Sequence, residues 1–176
     1  MPISGKGWEL HVTRSAEQSR SDRRRTIGAY AIYHDGVATA LTGTSVEAKG
    51  PGNNEIKGCG RCIEPGIYPL ATHDGEHYKT IGYITSDDCD QTPKPGLELR
   101  KTDYRDAILI HPGHGFLASI GCINLTASLA DGSVDIAFIN SRERVVAAIK
   151  DLRAYLGDGF PHYNGQPITK ARVVID

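Results

Sequence analysis

The dipeptide Asp35-Gly36 lies between two β-prone runs, residues 26–33 and 37–42. A two-residue reversal needs positive φ at both central positions, which Asp tolerates and Gly adopts freely, so the flanking runs are committed to an antiparallel hairpin. Turn signals recur at Pro65-Gly66 and Asp74-Gly75. With Gly 20 and Pro 9 in 176 residues, breakers are too frequent for a helical bundle, and the expected class is mainly β (α+β).

Further strands are expected at 8–13, 78–85, 107–111, 134–139 and 168–175. A single helix is expected to open at Asn140-Ser141, with Glu143 completing a capping box. Val145, Val146, Ile149, Leu152 and Leu156 then share one helical face, and Gly157 stops it. Residues 48–60 read as a loop, and 85–96 as an acidic, proline-containing loop able to overhang a site. The arginine-rich run 20–25 reads as a solvated loop rather than a binding patch. The length suits a single domain, 1–176, with a core over about 8–139 and a C-terminal helix and strand at 140–176.

A hydrophobic share of 39% against 23% charged residues is that of a soluble chain, and a net charge of −1 supplies no global attraction to nucleic acid or membrane. No apolar run approaches the ~20 residues of a membrane span. The first residues lack the apolar stretch of a secretory signal, so the chain is expected to be cytoplasmic as synthesised.

The chemistry concentrates in two short runs. Residues 108–115 (Ile-Leu-Ile-His-Pro-Gly-His-Gly) place His111 at the end of an apolar strand, and residues 119–125 (Ser-Ile-Gly-Cys-Ile-Asn-Leu) place Cys122 a glycine-rich loop later. A thiol becomes nucleophilic when a base or positive potential favours the thiolate, and histidine is the usual base. Gly121 leaves room for a carbonyl to approach the sulfur, and the amides of Gly121 and Cys122 are candidate oxyanion donors. A core cysteine beside a satisfied histidine is the competing reading of the same spacing.

The run 119–125 resembles the catalytic signature of the L,D-transpeptidases (the YkuD-type family): a His, a loop, then Ser/Thr-His-Gly-Cys, an aliphatic residue, and Arg or Asn. His111, Ser119, Gly121, Cys122 and Asn124 take the matching places, while Ile120 stands where that family has a second histidine and the His-to-Cys loop is shorter. Residues 110–114, 121–123 and 63–68 (Ile-Glu-Pro-Gly-Ile-Tyr) also resemble a small bacterial and phage domain of unknown function with the same layout. The resemblance covers residues 26–126. It implies a transpeptidase-like β-sandwich or barrel and a peptidoglycan-directed cysteine acyl-transferase or carboxypeptidase that needs no cofactor and no metal. Cys122 would be the nucleophile, His111 the base, Ser119 and Gly121 the supports of the loop and oxyanion. Gly113, His114 and Asn124 would line the substrate side, and the partners would be peptidoglycan stem peptides. A leaderless enzyme of this kind would reach the wall as a delivered antibacterial effector, with an immunity or delivery protein as partner, or as a phage-related protein.

Two alternatives stand beside this. The first is a catalytically inactive binding or structural module of the same fold, motivated by Ile120. The second is a structural zinc site, for which Cys59 and Cys62 with His111 and His114 would supply a Cys₂His₂ set. Cys59, Cys62 and Cys89 could equally remain thiols or form a disulfide. His73 and His77 flank a turn rather than one helical face, Asp87, Asp88 and Asp90 lack the rest of a calcium loop, and Glu98, Arg100 and Arg105 are candidates for the lining of a groove.

Overall fold

A computed structural model describes residues 3–82 and 94–176. The chain opens with three long antiparallel strands, β1 (Trp8–Arg20), β2 (Arg23–His34) and β3 (Val37–Ala48). At the β2–β3 reversal Asp35 has φ 46° and Gly36 φ 83°, the two positive values a type I′ turn requires. β1 runs well beyond the expected residue 13 because it pairs with β2 all the way from Trp8↔His34 to Arg20↔Arg23, across one irregularity at Arg14/Ala16.

The arginine-rich run is therefore a tight reversal and not a solvated loop. Arg25 is fully buried. Its guanidinium donates to Gln18 Oε1 and to the carbonyls of Phe116, Asp131 and Val134, while Arg20 reaches the Gly132 carbonyl and Arg23 that of Leu117. Those carbonyls belong to loops without strand partners for them, and a guanidinium's five donors satisfy several at once.

The remaining elements are β4 (Gly66–Thr72), β5 (Tyr78–Lys79), β6 (Lys94–Pro95), β7 (Leu97–Leu99), β8 (Leu109–Ile110), β9 (Asn124–Thr126), α1 (Phe138–Leu156) and β10 (Pro167–Ile175). Eight strands form one sheet in the order β8-β7-β4-β10-β1-β2-β3-β9, and β5 pairs with β6 apart from it. The sheet's two ends meet where Ile110 bridges Ile123 in parallel, with His111 N–H donating to the Ile123 carbonyl at 3.1 Å and Ile123 N–H to that of Leu109 at 2.8 Å. The sheet thereby curls into a nearly closed barrel, a shape that hides strand edges. β10 lies in its middle, parallel to β1 and antiparallel to β4, so the C-terminal strand is built into the sheet rather than appended to it.

Alternating inward residues of these strands, among them Trp8, Leu10, Val12, Ile32, Leu70, Leu97, Ile110, Ile123 and Val173, form a single core cluster with Val145, Ala148, Ile149 and Leu152 of α1. The helix begins at Phe138, earlier than expected, with Ala137 at its start and no side-chain cap. Asn140 and Ser141 serve tertiary contacts instead. Asn140 Oδ1 accepts from Ala127 N–H, and Ser141 Oγ donates to the Leu125 carbonyl and accepts from Gly113 N–H at 2.8 Å. Gly157, φ 52°, ends the helix as its sequence position indicates. The strand expected at 134–139 does not form. Ile136 makes one bridge to Gly115, and Phe138 already belongs to α1, because a short apolar run carries the same pattern in either state. Of the strand expected at 78–85, Tyr78–Lys79 is strand, while 83–85 lie outside the described residues.

Replacing Leu10, fully buried between the barrel walls, with Ala is expected to cost about 2–5 kcal/mol, read as a lower urea midpoint at an unchanged denaturant slope.

Candidate functional site

The bridge that closes the barrel also arranges the site. In a parallel pair, Ile110 and Ile123 point to one side, so their neighbours Leu109, His111, Cys122 and Asn124 point to the other. Asn124 lies directly opposite His111. Cys122 lies opposite Leu109, and is thus a diagonal neighbour of His111 on the shared face of the bridge.

His111 is almost wholly buried, 4% exposed. Its Nδ1–H donates to the Pro112 carbonyl at 2.8 Å, which leaves Nε2 as the basic nitrogen. Asn124 Nδ2 donates to the His111 carbonyl at 2.9 Å and pins the strand end. Gly113 allows this: a Cβ there would lie 2.8 Å from Asn124 Cγ. The Tyr78 ring packs on the imidazole with centroids 4.5 Å apart. Burial pushes the His111 pKa down to about 4 against the help of the Pro112 carbonyl, and the proximity of Lys94 and of the His73 ring adds to the depression. The ring is neutral at physiological pH.

Cys122 forms one wall of a cleft of about 260 Å³, with Lys57, Arg105, Asp106, Ala107 and Ile120 among the other walls. Its sulfur accepts from Leu109 N–H at 3.4 Å, and its S–H donates to the Ala107 carbonyl at 3.6 Å. No hydrogen bond joins it to His111. Burial raises the thiol pKa, opposed by the Leu109 N–H and the Arg105 charge. The resting pair is a neutral thiol beside a neutral imidazole. The Tyr78 phenol is raised first by burial and then by the proximity of Cys122.

Ser119 Oγ donates to the Cys122 carbonyl at 2.8 Å and ties the loop just before the sulfur. Gly121 is buried against Arg105, where a Cβ would come within 1.9 Å of Nη2. Ile120, in the place of a second histidine, is 67% exposed on the rim of the cleft. His114 is exposed and bonds neither to His111 nor to Cys122. The structure thus groups His111 with Gly113 and Asn124, and Cys122 with Ser119 and Gly121, on the two segments joined by the closing bridge, and leaves His114 outside both groups.

The Cys₂His₂ set does not assemble. Cys59 Sγ sits 3.5 Å from Arg105 Nη1, Cys62 is buried on the side of the Arg14–Glu47 pair, and both are free thiols, as is Cys122. Among the described residues no three His, Cys, Asp or Glu side chains gather at metal-binding distance. Cys89, Asp87, Asp88 and Asp90 lie outside the described residues. Glu98 pairs with His73 at 2.9 Å and Arg100 at 3.3 Å, and Arg105 alone of the three groove candidates reaches the cleft.

Sequence reasoning missed Tyr78 and Ser141. Tyr78 is a strand tyrosine with nothing in its spacing to link it to residue 111, and Ser141 carried the signature of a helix cap. Set against known proteins, the chain matches no family model, no curated sequence and no solved structure.

Folded His111 takes its proton near pH 4, whereas the unfolded chain takes it near 6.5. Between those values the unfolded state binds more protons, so stability falls as pH drops through that window, by about 3 kcal/mol in all. Equilibrium unfolding of His111→Gln at a series of pH values is expected to lack this component. Gly121→Ala is expected to lose about 1–3 kcal/mol in the same assay, because a guanidinium held by four hydrogen bonds cannot step aside freely.

Proposed function

We propose that the cleft beside Cys122 carries out cysteine acyl transfer on peptidoglycan stem peptides. One observation carries the reading: Cys122 and a neutral histidine share one face at the barrel closure, with Nδ1 occupied by a backbone carbonyl and Nε2 left basic. The likeness of His111 and residues 119–125 to the L,D-transpeptidase signature supplies the substrate class.

In this mechanism the thiol turns from the Ala107 carbonyl towards His111, gives its proton to Nε2, and forms a bond from sulfur to the peptide carbonyl. Such contacts commonly tighten only when substrate is bound. The tetrahedral adduct collapses, the bond to the terminal D-residue breaks, and its amine leaves with the proton from His111. A thioester remains. An acceptor amine or water then gives its proton to Nε2 and attacks the thioester, and the sulfur recovers the proton as it leaves. An amine acceptor yields a cross-link or an exchanged residue; water yields carboxypeptidase cleavage. Acting on the wall, such an enzyme would serve as a delivered antibacterial effector with an immunity partner, or as a phage-related protein.

Incubation with purified muropeptides, followed by mass spectrometry, tests this. Expected is loss or exchange of the terminal D-residue, abolished in Cys122→Ala and reduced at least 100-fold in His111→Ala. Unchanged muropeptides with both the parent and Cys122→Ala would instead favour a binding module.

A further inference from the structure

Arg105 is 4% exposed, yet among the described residues no carboxylate pairs with it. Its Nη1 donates to the Asn53 carbonyl at 2.7 Å and to Cys59 Sγ at 3.5 Å, and its Nη2 to the carbonyls of Arg61 at 3.2 Å and Ile120 at 3.1 Å. Neutral acceptors satisfy its protons but not its charge. A buried cation left in this condition is costly; Arg25 is held by neutral acceptors in the same way, and what sets Arg105 apart is the thiol that shares its cleft.

The chain has been cut away to bring this charge to one place. Nη2 lies where a Cβ of residue 121 would be, so only glycine fits beside it, and the next residue is Cys122. Both Arg105 and Cys122 wall the same cleft. The other groups that face the thiol hold no comparable fixed charge. His111 is neutral, Tyr78 is a phenol, the Cys59 thiol is already engaged by Arg105, and Lys57 and Asp106 neutralise each other at 2.8 Å with both side chains about three-quarters in water.

We infer that Arg105 is the built-in counter-cation of Cys122: its guanidinium holds the sulfur's negative charge when the proton leaves, and the same geometry clamps the 120–122 turn on which the sulfur sits. His111 moves the proton; Arg105 is a positioning and electrostatic residue that makes the thiolate tolerable in a half-buried place. The inference rests on Cys122 being the nucleophile of the proposed reaction, and not on the identity of the substrate.

The test is the pH dependence of Cys122 alkylation by iodoacetamide, with the modified residue identified by peptide mapping. It is run on the parent, Arg105→Lys, Arg105→Gln and Cys122→Ala, each checked for native circular dichroism. The expected result is an apparent thiol pKa raised by roughly one unit in Arg105→Gln, about tenfold less alkylation at neutral pH, and substantial recovery in Arg105→Lys. Equal profiles in the parent and Arg105→Gln, or equal shifts in the Gln and Lys variants, would overturn the inference. A second pair keeps it testable should the Arg105 variants not fold: Cys122→Asp puts a carboxylate at the sulfur's position and Cys122→Asn a neutral isostere. Beside an unneutralised guanidinium, the Asp variant should be at least as stable as the Asn variant at pH 7 and lose that advantage in acid. An Asp variant markedly less stable at pH 7 refutes the role. If Arg105→Gln shifts the alkylation profile while muropeptides stay unchanged, the counter-cation stands and the peptidoglycan reading falls; turnover without any such shift does the reverse.

Discussion

Two backbone hydrogen bonds hold the molecule's arrangement together: His111 N–H to the Ile123 carbonyl and Ile123 N–H to the Leu109 carbonyl. They join the first and last strands of an eight-stranded sheet, and what they join is the pair of segments that carry the histidine and the cysteine. Without that closure both segments would be short edge strands with unpaired amides, and neither side chain would have a defined direction. With it, register alone sets which side chains face the core and which face the cleft. Ile110 and Ile123 are sealed into the core, which fixes their neighbours on the opposite face by the two-residue period of a strand.

The supports radiate from that seam. Ser141, near the start of α1, holds the Gly113 amide and the Leu125 carbonyl together, so the helix braces both sides of the closure from outside the sheet. Arg105 gathers the carbonyls of Asn53, Arg61 and Ile120, which brings the long loop after β3 against the turn before Cys122. Arg20, Arg23 and Arg25 do the same for the loops at 116–135. In each case a cation inside or beside the barrel stands in for strand partners that irregular backbone lacks. The economy has a chemical consequence at residue 105 alone, where the charge ends beside a thiol.

Burial acts on the two central groups in a consistent direction. It keeps the imidazole neutral and the thiol protonated, so the resting pair carries no charge of its own. In the proposed reaction the thiolate would form during attack and not be held ready, and a positive charge already fixed nearby would offset its cost.

Much of this was legible in the residues. The Asp35-Gly36 hairpin, the mainly β class, the one helix with its buried Val145, Ile149 and Leu152, and its stop at Gly157 all follow from turn chemistry and periodicity, which act over a few residues. So did the candidates His111 and Cys122, because a histidine ending an apolar strand and a Gly-Cys turn are local features. What the residues left open depends on partners far along the chain. Asn140 and Ser141 looked like caps until the loops they bind came within reach, and an arginine run looked solvated until unpaired carbonyls surrounded it. Tyr78 came against His111 only when β5 was laid over it, and Arg105 came beside Cys122 only where Gly121 leaves room for its guanidinium. Local sequence sets the conformations a segment prefers. Which face it presents, and which charge is left without a partner, is settled by closure of the barrel, since only then do groups distant in the chain compete for the same buried hydrogen bonds.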